Sequence, residues 1–253
     1  MELFEWILNY ESRFITETVS QAFQLATMGL SLAQIATRLE KIYGVPRRVK
    51  QEAQGAVPFQ PDLLDELVGT ILSQNTSDAN SSRAFQSLKK TFPTWRDVLK
   101  APTRKLANAI KVGGLSNVKA KRIKAILSEL FVKTGALSLA HLDAMTTEDA
   151  MTYLRRFKGV GFKTAACVMM FGLGRDICPV DTHIHRILNR LGLMKTKNAD
   201  ETFRQLQPLL PKGKAYSLHV NLIRHGKRVC KAQKPNCLAC VFADDCAFAQ
   251  RFR

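Results

Sequence analysis

The sequence predicts an all-α protein, and three observations support that fold class. Apolar residues recur every three or four positions along much of the chain, whereas the alternating pattern of β-strands is scarce. Glycines and prolines separate these apolar stripes in the way that helix ends and turns do. The 253 residues, 46% of them hydrophobic, are enough to form the core of one large domain or two small ones.

The helices follow from their apolar stripes and end signals. The first is bounded by Ser31, a residue type suited to cap a helix, and by the sequence Gly44-Val45-Pro46. A linker rich in glycine and proline is predicted at residues 51–61. The last of the series starts at Asp181 and ends at Gly192. In chain order, the predicted helices cover residues 31–43, 63–71, 147–158, 162–171 and 181–191.

The charge of the chain indicates a polyanionic partner. With 38 basic and 21 acidic residues, the formal net charge is +17. Two stretches, residues 98–128 and 202–243, contain no acidic residue and carry eight cations each. Either stretch alone could be a solvated surface, but together they favour a face that contacts the phosphates of a nucleic acid.

The sequence contains no candidate for a membrane segment. No apolar run is long enough to span a bilayer, and the first residues lack the cationic start of a signal peptide. We therefore expect an intracellular, soluble protein, which would be cytoplasmic in a prokaryote.

Four cysteines near the C-terminus have the spacing of a metal site. Cys230, Cys237, Cys240 and Cys246 form a C-x6-C-x2-C-x5-C pattern. Two disulfides are the alternative, but a chain of this length with two further isolated cysteines is unlike a small secreted scaffold. Thiolates suit zinc and iron–sulfur clusters equally well, so ligand chemistry alone leaves the metal open.

A second candidate site lies around the sequence Gly159-Val160-Gly161. Glycines between two helices permit a tight turn, and the N–H groups that start the second helix suit an anion such as a phosphate. Lys163 falls in the first turn of that helix, where a cation opposes the helix dipole unless its amine is neutral or has an anion nearby. Asp181 follows eighteen residues later and could return to Lys163. The alternatives are an ordinary turn, a surface lysine and a helix cap.

Several of these segments, in this order, resemble the endonuclease III family of base-excision DNA glycosylases. The similarity extends over roughly residues 60 to 247 and includes the four cysteines at the family's spacing. Two further loops resemble those with which the family fills the gap left by an extruded nucleotide. The matching segments are residues 72–78, 114–120, 157–165, 179–183 and the cysteine run.

The resemblance implies a two-domain helix-hairpin-helix glycosylase fold with a C-terminal [4Fe–4S] cluster. Residues 58–174 would form a helical barrel containing the hairpin, and residues 175–253 the cluster domain, with which residues 1–57 pack. Lys163 matches the family's Schiff-base lysine and Asp181 its essential carboxylate. Together with the charge distribution, the resemblance implies DNA contacts by Gly159, Gly161, Gln74, Asn75, Leu115, Lys119, Lys121 and His183.

Three positions depart from the family's usual pattern. Lys158 stands where proline is usual, Phe162 where arginine is common, and Asn75 where many members have glutamine. The first two change the rigidity and charge of the hairpin, and the third concerns the base that is left unpaired.

The implied function is that of a bifunctional glycosylase and AP lyase. The partner would be double-stranded DNA with damaged bases, most directly oxidised pyrimidines, or with abasic sites, and the protein would act as a monomer. Such an enzyme must flip the damaged nucleotide out of the stack before Lys163 can reach its C1′ atom. The alternatives are a glycosylase for mismatched, methylated or alkylated bases, and a non-catalytic iron–sulfur module that binds DNA or senses redox state.

Overall fold

The computed structural model describes residues 30–47 and 62–252, and all the regular secondary structure in these ranges is helical, with no strand in either. The predicted all-α class is therefore confirmed for this part of the chain. The linker predicted at residues 51–61 lies outside the described residues. No helix in the described ranges is both long enough and apolar enough to cross a membrane.

The chain divides into two units. One consists of residues 48–175, and the other combines residues 1–47 with residues 176–253. The sequence predicts domain boundaries between residues 57 and 58 and between residues 174 and 175. Each unit is described below by itself.

The unit of residues 48–175 is built around the helix α2, whose apolar stripe is fully buried. Leu64, Leu67 and Ile71 have no exposed surface. Removal of such side chains from water is the main stabilising contribution to a helical core. Around α2 pack α3, α6, α8 and the π-helical turn that continues α8. The elements are α2 (Leu63–Ser73), α3 (Asp78–Thr91), α4 (Trp95–Lys100), α5 (Thr103–Ala109), a 3₁₀ turn (Lys111–Gly113), α6 (Ser116–Thr134), a 3₁₀ turn (Ala140–Ala144), α7 (Thr147–Arg155), α8 (Phe162–Cys167) and the π turn (Val168–Gly172).

The other unit joins an N-terminal helix to the C-terminal part of the chain. The N-terminal helix α1 (Leu32–Tyr43) is capped by Ser31. The Ser31 hydroxyl accepts a hydrogen bond from the backbone amide of Gln34, and the Gln34 side-chain oxygen accepts one from the backbone amide of Ser31. This reciprocal cap fixes the start that the sequence predicted. Helix α1 packs against α11, and Glu40 pairs with Lys214 at 2.9 Å. The remaining elements are α9 (Thr182–Leu191), α10 (Ala199–Leu206), a 3₁₀ turn (Gln207–Leu209), α11 (Ala215–Arg228) and a 3₁₀ turn (Ala249–Phe252).

Candidate functional site

The hairpin between α7 and α8 is closed by backbone hydrogen bonds and one glycine in the left-handed region. Helix α7 ends at Arg155, and the amide of Val160 donates to the carbonyl of Phe157 at 3.0 Å. Gly159 has φ 87°, and a Cβ atom added there would overlap the guanidinium of Arg122. Only glycine meets both requirements without strain or displacement. Gly161 differs, because its φ of −92° suits any residue and no atom lies within 4 Å of an added Cβ.

The two departures in the hairpin are exposed to solvent or supported by a neighbour. Lys158 is exposed. The ring of Phe162 lies 3.5 Å from the guanidinium carbon of Arg155, which stacks over it. A positive charge therefore lies beside residue 162, and it is supplied by Arg155 at the end of α7 and not by residue 162 itself.

Lys163 occupies the first turn of α8, as predicted, and is half-buried. Gly161 is the N-cap, and no side chain forms a capping hydrogen bond at this helix start. The next residue, Thr164, is 4% exposed and its hydroxyl accepts a hydrogen bond from Gln74. The lysine is therefore carried by a segment that is anchored in the core.

Asp181 caps helix α9. Its Oδ1 atom accepts a hydrogen bond from the amide of Ile184 at 2.9 Å. The capping role that the sequence offered as an alternative is thus present, and it uses one carboxylate oxygen. Lys163 lies in the unit of residues 48–175 and Asp181 in the other, so each is placed within its own unit.

Gln74, expected to contact DNA, has its amide engaged within the protein. Its Oε1 accepts a hydrogen bond from Arg122 at 2.5 Å, and its Nε2 donates to Thr164 at 3.1 Å. Asn75 is exposed and has φ 53°, and Ser77 of the same loop is also exposed. Asn75 therefore faces solvent, whereas the amide of Gln74 is engaged within the protein.

The second loop presents an exposed apolar side chain on a strained backbone. Leu115 is 55% exposed and has φ 48°. Positive φ is rare for residues other than glycine and persists where the surrounding structure enforces it, often at functional sites. Both loops that the sequence matched to gap-filling segments therefore carry such a residue, Asn75 in one and Leu115 in the other.

Lys119 is buried, so the prediction that it contacts DNA is wrong. It is 2% exposed, and its Nζ donates to the carbonyl oxygens of Leu72 and Gly113, both at 2.8 Å. Burial lowers the pKa of its ammonium group, and the nearby Arg122 lowers it further. Lys121, two residues on, is exposed and stays a candidate contact. The sequence contained a signal for this difference, because Lys119 lies at helical spacing from Ile123 and so falls on the apolar face of α6.

The four clustered cysteines lie in the same unit, the one that contains α9 and α11. None of the six cysteines, all of which lie in the described ranges, forms a disulfide in the structure. Burial raises the pKa of the Cys240 thiol to about 11, with further contributions from Cys230, Cys246 and Cys237. Among the described residues, no group of three or more ligating side chains is arranged around a single-ion site.

Two side chains that the sequence did not single out contact these thiols. The Nε2 atom of His225 lies 3.5 Å from Cys240 Sγ, and the hydroxyl of Tyr43 lies 3.2 Å from His225 Nδ1. Arg190 donates to Cys230 Sγ at 3.5 Å. Hydrogen bonds of this kind orient ligands and adjust the properties of the group that they hold.

His183 is packed within its own unit. Its Nδ1 is 3.1 Å from Arg186 Nη2. A Cβ added to Gly226 would come within 2.7 Å of the same His183 Nδ1 atom. Gly226 therefore allows α11 to approach α9 closely at this point. The DNA contact expected of His183 stays a prediction.

Comparisons with known proteins identify the family. The family model described as HhH-GPD superfamily base excision DNA repair protein matches residues 68–212. Endonuclease III of Thermotoga maritima is 35% identical over 185 residues, which cover 73% of this chain and 83% of that protein. A putative DNA glycosylase of Arabidopsis thaliana is 44% identical over 178 residues, covering 70% of this chain and 60% of that protein. The fold resembles that of an endonuclease III in a non-covalent DNA complex, with a TM-score of 0.70 at 23% identity over 88% of this chain and 98% of the other.

These matches define a helix-hairpin-helix protein of base excision DNA repair. Within that superfamily, the chain belongs to the endonuclease III family. The expected enzyme class, a DNA glycosylase with AP lyase activity, is therefore confirmed at the level of the family.

Proposed function

We propose that this protein is a bifunctional DNA glycosylase that excises oxidised pyrimidines from duplex DNA and then nicks the strand. The observation that carries the proposal is Lys163 in the first turn of α8, directly after the glycine hairpin, in a chain of the endonuclease III family. A protein of Arabidopsis thaliana named DNA glycosylase/AP lyase ROS1 is 30% identical over 177 residues, 62% of this chain and 13% of that protein, and its name supports the lyase step. The protein would act as an intracellular monomer.

The chemistry assigned to Lys163 begins with a neutral amine. Its nitrogen attacks C1′ of the flipped nucleotide, the bond from C1′ to the base breaks, and the base leaves with the electron pair and acquires a proton. As the bond from C1′ to the ring oxygen breaks, one proton moves from the nitrogen to that oxygen, and a protonated imine joins Lys163 to C1′. Loss of the C2′ proton then expels the 3′ phosphate, which nicks the strand.

Asp181 would assist by its charge. A carboxylate near C1′ stabilises the positive charge that develops as the base departs, or accepts a proton from the attacking amine. One oxygen caps α9, so the helix would hold the carboxylate in a fixed orientation while the other oxygen serves the reaction. Asp181 is half-buried and is oriented by a backbone amide, which suits a group that must be preorganised.

The DNA side of the proposal rests on charge and on two strained loops. Exposed cations such as Lys121, Lys111 and Arg104 would contact phosphates and give affinity that falls with salt. The glycine hairpin would hold a further phosphate through backbone N–H groups. Asn75 and Leu115 would enter the space left by the extruded nucleotide, where the apolar side chain of Leu115 replaces lost base stacking. Asn75 and Leu115 would thus contribute to the affinity for a damaged site but not to the affinity for undamaged duplex.

We further propose that the four cysteines hold a [4Fe–4S] cluster. The thiols fit such a group, because their number and type are those of cluster ligands and none of them is used in a disulfide in the structure. An N–H of Arg190 donates to one of the sulfurs, and the Nε2 atom of His225 lies within hydrogen-bond distance of another, as is common around iron–sulfur ligands. When bound, the cluster would tie the C-terminal segment to α9 and α11.

Purified protein is expected to contain iron and sulfide and to show the broad visible absorption of thiolate-bound iron–sulfur centres, at about 400 nm. Cys237→Ser should lose that absorption and destabilise the unit that contains α9 and α11, because metal binding and folding are coupled. Cys178→Ser, which alters a buried cysteine outside the cluster run, is the matched control and should keep the iron. Colourless, folded wild-type protein with one zinc and no iron would exclude the cluster.

Turnover on a panel of duplexes, each with one defined lesion, tests the substrate proposal. The panel contains an oxidised pyrimidine, a thymine mismatch, 5-methylcytosine, an alkylated purine and an abasic site in the same sequence. We expect base release and strand cleavage on the oxidised pyrimidine, and strand cleavage on the abasic site. Fastest release from another member would reassign the substrate, and absence of both reactions from every duplex would leave only a DNA-binding module.

A further inference from the structure

A continuous set of hydrogen bonds joins one predicted DNA-contacting loop to the helix that carries Lys163. Arg122, on α6, donates to the side chain of Gln74, and Gln74 donates to Thr164 on α8. These three residues lie 48 and 90 positions apart in the sequence. All of them belong to the unit of residues 48–175.

The orientation of the Gln74 amide follows from its partners. A guanidinium can only donate hydrogen bonds, so the amide oxygen must face Arg122 and the NH₂ group must face Thr164. Arg122 packs against the hairpin, because its guanidinium occupies the space that a side chain at residue 159 would need. The hairpin glycine, Arg122, Gln74 and Thr164 therefore form one packed group.

Lys119 joins the same region to the second loop. Its ammonium group bonds the carbonyl of Leu72, two residues before Gln74, and that of Gly113, two residues before Leu115. Lys119 and Arg122 are three residues apart on α6 and so lie on neighbouring parts of one helix face. One helix thus anchors the starts of both loops and also, through Gln74, the segment that carries Lys163.

We propose that Gln74 and Arg122 are positioning residues for Lys163 and that they act through the buried hydroxyl of Thr164. The inference rests on the proposed role of Lys163 as the nucleophile. The hydrogen bond to Thr164 fixes the first turn of α8 against the loop that presents Asn75. Insertion of Asn75 beside the extruded nucleotide and placement of the amine near C1′ are thereby geometrically coupled.

The test compares two substitutions at Thr164 that differ in the hydroxyl. Thr164→Val keeps the shape of the side chain and removes the hydrogen bond, whereas Thr164→Ser keeps the hydroxyl. The readout is the single-turnover rate of borohydride-trapped adduct on an abasic duplex, together with duplex affinity and thermal unfolding. We expect Thr164→Val to slow trapping by about 10- to 100-fold, since small displacements of reacting groups have effects of this size. Affinity for undamaged duplex should stay within about twofold, and Thr164→Ser should restore most of the rate.

A matched control and a second variant complete the experiment. Thr134→Val removes an exposed hydroxyl that bonds backbone carbonyls at the end of α6, and should leave the trapping rate unchanged. Gln74→Met removes the donor to Thr164 from the other side and should slow trapping to a similar degree. The double variant Gln74→Met/Thr164→Val should be no slower than the slower single variant, because both changes remove the same interaction.

The outcomes separate this inference from the proposed function. If wild-type protein forms an adduct that Lys163→Ala does not form, the proposed nucleophile stands. Wild-type trapping rates in both folded Thr164→Val and folded Gln74→Met would then overturn the positioning role alone. If Thr164→Val does not fold, Gln74→Met decides, since Gln74 is only half-buried. Additive losses in the double variant would also count against a shared route.

Discussion

Replacement of Lys163 by alanine is expected to abolish base excision and strand cleavage while the protein still folds and binds duplex DNA. A nucleophile acts mainly in the transition state, so its loss lowers the rate far more than the ground-state affinity. The reduction should be at least about 1,000-fold, as for other residues that form covalent intermediates. The measurement is single-turnover cleavage of an oxidised-pyrimidine duplex, with binding to undamaged duplex measured in parallel.

The control for Lys163→Ala is the same substitution at a lysine without a proposed role. Lys133 forms an exposed ion pair with Glu129 at 2.6 Å, four residues earlier on α6. Lys133→Ala removes one positive charge, as Lys163→Ala does, and should cleave at the wild-type rate. A folded Lys163→Ala protein that also cleaved at that rate would assign the chemistry to another amine.

Asp181→Asn is expected to reduce the rate of base release by about 100- to 10,000-fold with little change in stability. Asparagine keeps an oxygen that can accept the hydrogen bond from Ile184, so α9 stays capped. The negative charge is lost, and with it the stabilisation of the charge that develops at C1′. The rate should be measured under single-turnover conditions, and the unfolding temperature should be measured for both proteins.

Asp62→Asn provides the matched comparison for Asp181→Asn. Asp62 caps α2 by accepting a hydrogen bond from the amide of Leu64 at 2.9 Å, and Asp181 caps α9 by accepting one from the amide of Ile184. Both substitutions preserve a cap, but only the one at Asp181 removes a proposed catalytic charge. Equal, near-normal rates in the two variants would reduce Asp181 to a helix cap.

Local signals in the sequence were sufficient to predict five of the described helices, α1, α2, α7, α8 and α9, and the hairpin. Helix α8 ends at Cys167, and the π turn Val168–Gly172 occupies the rest of its predicted span. Ser31 and Asp181 begin helices as N-caps, and Gly192 ends one with a φ of 84°, as their residue types predict. Gly159 shows the positive φ and the close approach that a glycine at a tight turn suggests. These features depend on residues close together in the chain, so a linear pattern contains the information needed to predict them.

Interactions between distant residues could not be predicted in this way. Helical spacing places Lys119, but not Lys121, on the apolar face of α6, yet the bond from Lys119 to the carbonyl of Leu72, 47 residues away, follows only from tertiary packing. Gln74 turns inward because Arg122, on another helix, provides a donor for its amide oxygen. His225 meets Tyr43, 182 residues away, only through the packing of α1 on α11. In each case the partner that decides the role is separated by many residues, and its identity follows from tertiary structure.

The most direct test of the proposed chemistry is to locate the covalent bond between protein and DNA. Wild-type protein is mixed with an abasic or oxidised-pyrimidine duplex in the presence of borohydride, which reduces the imine to a stable amine. The trapped complex is digested with protease and nuclease, and the peptide that carries the sugar remnant is sequenced by mass spectrometry. The proposed mechanism predicts a single modified residue, Lys163. A remnant on any other amine, or efficient strand cleavage without a trapped complex, would contradict it.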